Sequence, residues 1–158
     1  METNVIQTIA MREHSVTVRV DASVMKDTET KRTKLQGRRI LLIEDNFDVQ
    51  QFVSGIARLE RAGITIARTG EEGLAILGDD SGFDAILLDI NLPGISGWDV
   101  LRTLRDEPPA WTKEPPVFIF TASNANTIEE QASELGAAGV ITKPVSARDL
   151  VQALAAEV

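Results

Sequence analysis

Five short runs of aliphatic and β-branched residues, separated by amphipathic segments, constrain the fold of this chain more than any other feature. The runs occupy residues 40–43, 64–67, 85–88, 117–120 and 139–142. The first, third and fourth runs are almost continuously apolar, which is typical of strands covered on both faces. Strands that alternate with helices predict an α/β fold with a doubly wound, five-stranded parallel sheet and helices on both faces.

Amphipathic helices are predicted in each interval, because apolar residues recur there at helical spacing. Two of the helices are expected at about residues 127–135 and 147–156. In such a sheet, ligands bind at the carboxyl ends of the strands. The residues that recur after the first three runs are Phe52, Val53, Ile56 and Leu59, then Leu74 and Leu77, then Val100, Leu101 and Leu104.

Residues 1–37 do not fit this repeat and are predicted to be an N-terminal extension and linker before a domain at residues 38–158. Valines alternate with polar residues at 16–20, which is a weak strand signal, and residues 26–37 are polar and linker-like. The extension is therefore either partly flexible or an added strand at a sheet edge, and a homodimer through that strand is an open option. His14, the only histidine, is interpreted as a surface residue.

Charge and composition exclude several classes of function. Residues 1–39 hold eight Lys/Arg against five Asp/Glu, and the rest of the chain holds eight against nineteen, for a net charge of −8. An acidic domain repels phosphate backbones, so nucleic-acid binding by it is not expected. The absence of cysteine leaves hard oxygen ligands, which favours Mg²⁺ over zinc. Without a long apolar run or a signal peptide, the chain is predicted to be cytoplasmic and without a membrane segment.

Polar residues follow four of the predicted strands at their carboxyl ends. Glu44 and Asp45 follow the first strand, Asp89 the third, Thr121 the fourth and Lys143 the fifth. Each has a simpler interpretation, as a helix cap, a turn residue or a solvated side chain. Their joint occurrence at four strand ends favours one shared site, in which a divalent cation and the lysine neutralise the acids.

The chemistry of such a site suits phosphoryl transfer. A carboxylate such as Asp89 accepts a phosphoryl group when the group is held in line and its charge is neutralised. Mg²⁺ prefers near-octahedral oxygen coordination, for which Asp45, Asp89 and the backbone carbonyl of Asn91 are the candidate ligands. Glu44 either ligates the ion directly or holds a metal-bound water, and the residues alone leave both options open.

The two remaining residues have distinct predicted roles. Lys143 is a point charge suited to a phosphate oxygen or to the unphosphorylated Asp89 carboxylate. Thr121 carries a hydroxyl that can donate to a phosphate oxygen once one is present, which makes it a candidate switch.

The chain closely resembles the CheY-like receiver domain of two-component response regulators. The similar segments are ILLIEDN at 40–46, ILLDINLPGISG at 86–97, FTA at 120–122 and GAAGVITKPV at 136–145. The resemblance implies that a histidine kinase or histidine phosphotransfer protein phosphorylates Asp89 with Mg²⁺, while Thr121 and Lys143 coordinate the phosphoryl group. It also implies a switch that binds an unknown downstream protein, and an activity limited to its own phosphorylation and dephosphorylation.

Departures from the family pattern leave the output open. Val140 stands where members usually carry an aromatic residue that turns inward on activation, and Val145 replaces a common phenylalanine. A stand-alone receiver is the leading hypothesis, with a receiver fragment of a hybrid histidine kinase as its alternative. An aspartyl-nucleophile phosphatase is disfavoured, because Asn91 occupies the position of the second acid that such enzymes use to protonate the leaving group.

Overall fold

A computed structural model describes residues 4–10, 15–21, 33–111, 113–123 and 125–158. The chain divides into two compact units, of which the second begins at Thr33. Among the helices of the described ranges, none combines the length and the apolar character that a membrane crossing needs.

The N-terminal unit contains an antiparallel hairpin. Strand β1 (Asn4–Ala10) pairs with β2 (Ser15–Asp21), and the two form a sheet of their own. Strand β2 includes the alternating valines of the weak strand signal, whereas β1 had no counterpart among the predicted strands. His14 and residues 26–32 of the predicted linker lie outside the described residues.

The second compact unit contains the predicted five strands, each followed by a helix. All four strand pairings of its sheet are parallel. The strand order is β4-β3-β5-β6-β7, so β5 is the central strand and lies between β3 and β6. This arrangement confirms the predicted α/β fold. In chain order the elements are β3 (Arg39–Ile43), α1 (Phe47–Leu59), β4 (Gly63–Ala67), α2 (Gly70–Asp79), β5 (Ala85–Leu88), α3 (Gly97–Asp106), β6 (Val117–Thr121), α4 (Ala125–Glu134), β7 (Gly139–Thr142) and α5 (Ala147–Ala155).

The sheet separates two apolar cores, because successive side chains of a strand point to opposite faces. Leu41 and Ile43 of β3 join a core with α2, α3 and α4, whereas Ile40 and Leu42 join a core with α1 and α5. Helices therefore cover both faces, as the continuously apolar strands predict.

The second compact unit begins at Thr33, whereas the sequence predicts a domain from residue 38. Leu35 is 1% exposed and belongs to the core beneath α1 and α5. Its N–H donates to Glu60 Oε2 at 3.3 Å, and the Thr33 hydroxyl donates to the Glu60 carbonyl. A single leucine in a polar segment shows no periodicity, so sequence patterns assigned it to the linker.

Candidate functional site

Neighbouring parallel strands bring the predicted site residues to one edge of the sheet. Glu44 directly follows β3 and Asp89 directly follows β5, and the Asp89 N–H donates to the Ile43 carbonyl at 3.0 Å. Thr121 ends β6, and its carbonyl accepts the Lys143 N–H at 2.7 Å. The backbone ladder thus aligns four strand ends beside one another.

Three carboxylates converge at this edge. One oxygen from each of Glu44, Asp45 and Asp89 lies within 4.8 Å of the others. Glu44 is fully buried, Asp89 is 6% exposed and Asp45 is exposed. Because like charges this close repel one another, the cluster is suited to a cation that neutralises it.

Lys143 supplies one positive charge. Its Nζ lies 2.5 Å from Glu44 Oε2 and 3.4 Å from Asp89 Oδ2. The same ammonium lies 4.9 Å from the centroid of the Phe120 ring, within the range of a cation–π interaction. The sequence paired Lys143 with Asp89 or with phosphate, and the structure adds Glu44 as its nearer partner.

Glu44 accepts hydrogen bonds from three donors. Lys143 and the Asn46 N–H bind its carboxylate, the latter at 3.0 Å, and Gln50 Nε2 donates to its backbone carbonyl at 2.7 Å. Burial raises the pKa of the Glu44 carboxyl above its ordinary value, and the charge of Asp89 acts in the same direction. The hydrogen bonds from Lys143 and Asn46 oppose this rise, since they favour the ionised form.

Two residues that follow Asp89 in the chain, Asn91 and Gly97, contact it. The Asn91 N–H points to Asp89 Oδ1 at 3.4 Å, whereas the role of the Asn91 carbonyl as a metal ligand stays a prediction. A Cβ on Gly97 would come 2.1 Å from the Asp89 carbonyl oxygen, so α3 begins in direct contact with the backbone of Asp89. Only glycine allows that approach.

Thr121 is fully buried, and its Oγ1 accepts the Ser123 N–H at 3.1 Å. A hydroxyl that accepts one bond keeps its own hydrogen for another acceptor, such as a phosphoryl oxygen. Val140 of β7 pairs with Ile119 of β6 and is only partly buried against the core with α2, α3 and α4. This geometry is consistent with the switch role predicted for Thr121.

Two residues of this site were not found by sequence reasoning. Gln50 is 3% exposed, yet it stands beside the exposed Gln51 in the same helix, and nothing in the pattern distinguishes them. Phe120 is fully apolar and was assigned to a strand, where its contact with Lys143 carries no sequence signal.

The family model for the response regulator receiver domain matches residues 40–155. The chain belongs to this family. Apart from Arg39 at the start of β3, the match covers every strand of the five-stranded sheet, and it covers all of the candidate site residues, from Glu44 to Lys143.

Curated relatives of this receiver domain are bacterial signalling proteins. It is 35% identical over 112 residues to the sensory transduction protein RegX3 of Mycobacterium tuberculosis, covering 71% of this chain and 47% of that protein. It is 33% identical over 113 residues to the transcriptional regulatory protein CpxR of Escherichia coli, covering 72% of this chain and 46% of that protein. The chain thus spans about half the length of these relatives.

Solved receiver structures share the fold. The chemotaxis response regulator CheY4 of Vibrio cholerae aligns with a TM-score of 0.70 at 23% identity, covering 78% of this chain and all of that one. The receiver domain of sensor histidine kinase PA1611 from Pseudomonas aeruginosa aligns with a TM-score of 0.68 at 25% identity, covering 77% and 97%. The latter structure has a magnesium ion coordinated in its active site cleft.

The residues of this receiver domain fit the same ion. Mg²⁺ takes oxygen ligands and is usually bound by one or two carboxylates together with waters and phosphates. Glu44, Asp45 and Asp89 offer three carboxylate oxygens at one place, and one of the three side chains is open to solvent. An acidic pocket suited to Mg²⁺ is therefore present.

Proposed function

We propose that Asp89 accepts a phosphoryl group from a phosphohistidine and thereby switches the interactions of this receiver domain with other proteins. Glu44, Asp45, Asp89 and the Asn91 backbone carbonyl are the proposed holders of Mg²⁺. The observation that carries the proposal is the convergence of three carboxylates and Lys143 around a nearly buried Asp89.

In the proposed reaction, one carboxylate oxygen of Asp89 forms a bond to phosphorus as the phosphorus–nitrogen bond of the donor histidine breaks. The electron pair of that bond stays on the histidine nitrogen. Lys143, 3.4 Å from Asp89 Oδ2, stabilises the added negative charge. Mg²⁺ held by Glu44, Asp45, Asp89 and the Asn91 carbonyl would supply further neutralisation of the negative charge.

The proposed switch begins at Thr121. Its hydroxyl would donate to a phosphoryl oxygen, and the Ser123 N–H that now binds Oγ1 at 3.1 Å would move with it. Because position 140 is valine, we propose that the β6–α4 segment passes the change to the surface by moving its backbone, without rotation of an aromatic ring.

A protein donor is supported by an apolar recess beside the site. The recess measures about 440 Å³, and its lining includes Phe52, Phe120, Val145 and Lys143. Phe52 is 42% exposed and Phe47 is 63% exposed. We propose that a histidine kinase or histidine phosphotransfer protein docks at this recess, and that the reaction takes place in the cytoplasm.

A receiver segment of a hybrid histidine kinase is a second candidate. The likeness to the receiver domain of the sensor histidine kinase PA1611 favours it. Both candidates share the same chemistry at Asp89 and differ in the context of the domain.

Incubation with acetyl phosphate or beryllofluoride, with and without Mg²⁺, tests the assignment. We expect intact-mass analysis to show one added phosphoryl group after acetyl phosphate, and amide NMR shifts after beryllofluoride. Both should vanish in Asp89→Asn and without metal. Asp106→Asn, which makes the same change at an exposed position on α3, should react as the unaltered protein does. Modification that persists in Asp89→Asn would contradict the proposal.

The same assay with a phosphorylated histidine phosphotransfer protein tests the docking surface. Phe52→Ala should slow transfer from the protein donor about tenfold and leave the reaction with acetyl phosphate unchanged, because only the protein needs the apolar contact. If transfer from the protein donor and from acetyl phosphate slowed equally, Phe52 would be needed for the structure of the site and not for docking, which would contradict the proposed docking surface.

A further inference from the structure

Residues 90–96 form the loop that follows the acceptor Asp89. We call it the acceptor loop. The end of this loop farther from Asp89 contacts the first residues of helix α2. The Ile95 N–H donates to Glu71 Oε1 at 3.2 Å, and Glu71 is the second residue of α2. A Cβ on Gly70, the first residue, would come 2.6 Å from the Ile95 side chain. The start of α2 is therefore packed directly onto this loop.

Gly94 strengthens the same contact. Its φ of +79° is in the left-handed region, and a Cβ there would come 2.5 Å from Glu71 Oε1. The carboxylate thus occupies the space that glycine leaves free. Two consecutive residues of the acceptor loop are fitted to one carboxylate.

The near end of the acceptor loop is fixed to the acceptor itself. The Asn91 N–H points to Asp89 Oδ1, and the Gly97 N–H donates to the Ile90 carbonyl at 2.9 Å. Asn91, whose carbonyl is a proposed Mg²⁺ ligand, stands at this near end, and Ile95 stands at the far end. The position of Asn91 depends on both attachments.

We propose that Glu71 is a positioning residue for the acceptor loop, which holds the Asn91 carbonyl beside the acidic cluster and so raises the affinity for Mg²⁺. This inference rests on the proposed function. The pKa of the Glu71 carboxyl lies below its ordinary value because its own backbone N–H and that of Ile95 bind it, so it is ionised at neutral pH.

Glu72 provides a matched control. It is the next residue of α2, it is also exposed, and it carries the same charge. Its carboxylate accepts the Arg68 N–H at 2.7 Å, before the helix, rather than an N–H of the acceptor loop. Removing either carboxylate changes the net charge equally, and only one removal releases Ile95.

The experiment compares Glu71→Ala, Glu71→Asp, Glu71→Gln and Glu72→Ala in the full chain. Amide NMR reports hydrogen exchange at Ile95 without metal and then the Mg²⁺ dissociation constant. Asp keeps the charge but is one methylene too short, whereas Gln keeps the acceptor oxygen. We expect faster Ile95 exchange and roughly threefold to tenfold weaker Mg²⁺ binding in Glu71→Ala and Glu71→Asp. Glu71→Gln and Glu72→Ala should stay near the unaltered protein.

The outcomes separate this inference from the proposed function. Equal Ile95 exchange and equal Mg²⁺ affinity in Glu71→Ala and Glu72→Ala would overturn the role of Glu71 while leaving the metal site in place. A defect in Glu71→Gln as large as in Glu71→Ala, with none in Glu71→Asp, would assign the effect to charge and overturn positioning. An unaltered protein that takes up neither Mg²⁺ nor a phosphoryl group would overturn both proposals, even with a protected Ile95 amide.

Discussion

A single ammonium group, that of Lys143, faces two carboxylates at this site. Glu44 is fully buried and has no access to solvent, whereas Asp89 is 6% exposed. A buried charge that loses its partner is costly, because neither water nor an opposite charge then stabilises it. Lys143 therefore contributes to the stability of the resting fold as well as to the proposed chemistry.

Lys143→Ala should lower the free energy of unfolding by roughly 2–4 kcal/mol, since it leaves Glu44 without its cation. Saturating Mg²⁺ should restore part of the loss, because the acids then gain a different positive charge. Urea unfolding with and without Mg²⁺ measures both effects. Lys113→Ala, at an exposed position, should change stability by less than about 0.5 kcal/mol. Equal stabilities of the two variants would show that Glu44 does not depend on Lys143.

At the scale of elements, helix α3 begins with a reciprocal cap beside the acceptor. Ser96 Oγ accepts the Asp99 N–H at 3.2 Å, and the Asp99 carboxylate accepts the Ser96 N–H at 3.1 Å. The Ser96 hydroxyl also donates to that carboxylate, and these bonds hold the pKa of Asp99 below its ordinary value. The cap fixes the first turn of α3 directly after the acceptor loop.

Ser96→Ala should cost about 1 kcal/mol of stability near pH 7, as the loss of a helix cap typically does. The folded-state pKa of Asp99 is depressed, so its contribution is present above the unfolded value and is lost as pH falls through the folded value. The difference in stability between Ser96→Ala and the unaltered protein should therefore shrink below about pH 4. Thermal unfolding across this range measures it, and Ser133→Ala, in an exposed part of α4, is the control. A difference that is constant with pH would exclude an ionised Asp99 from the cap.

At the scale of the molecule, the second compact unit, which begins at Thr33, contains both apolar cores of the five-stranded sheet. Its first buried side chain, Leu35, comes before the first strand of that sheet. We propose that the stable domain starts at Thr33, and that the boundary at residue 38 cuts into the core.

Two truncated chains test this boundary. A chain that starts at Arg38 should be less stable than one that starts at Thr33 by roughly 2–4 kcal/mol, because the leucine is lost from a packed core. Leu35→Ala in the longer chain should reproduce most of that loss. Chemical unfolding of all three gives the comparison, and equal values would mean that Leu35 adds nothing to the core.

The fold was predictable because continuous apolar strands and helical spacing both depend on local sequence. The acids, Thr121 and Lys143 were predictable because they stand at strand ends, which topology brings together. Glu71 and Glu72 look alike in sequence, and their different contacts arise only when α2 packs on the acceptor loop. The same holds for Leu35 and Gln50, whose burial depends on distant elements.

The close approach of Gly97 to the Asp89 carbonyl has a practical consequence. The next residue is Trp98, which is partly buried against the core, while the other tryptophan, Trp111, lies in the segment before β6. Trp98 is the residue directly after that contact, so we expect its indole to be an optical probe of the site. Its emission, isolated by Trp111→Phe, would report occupancy of the site in real time without an attached dye.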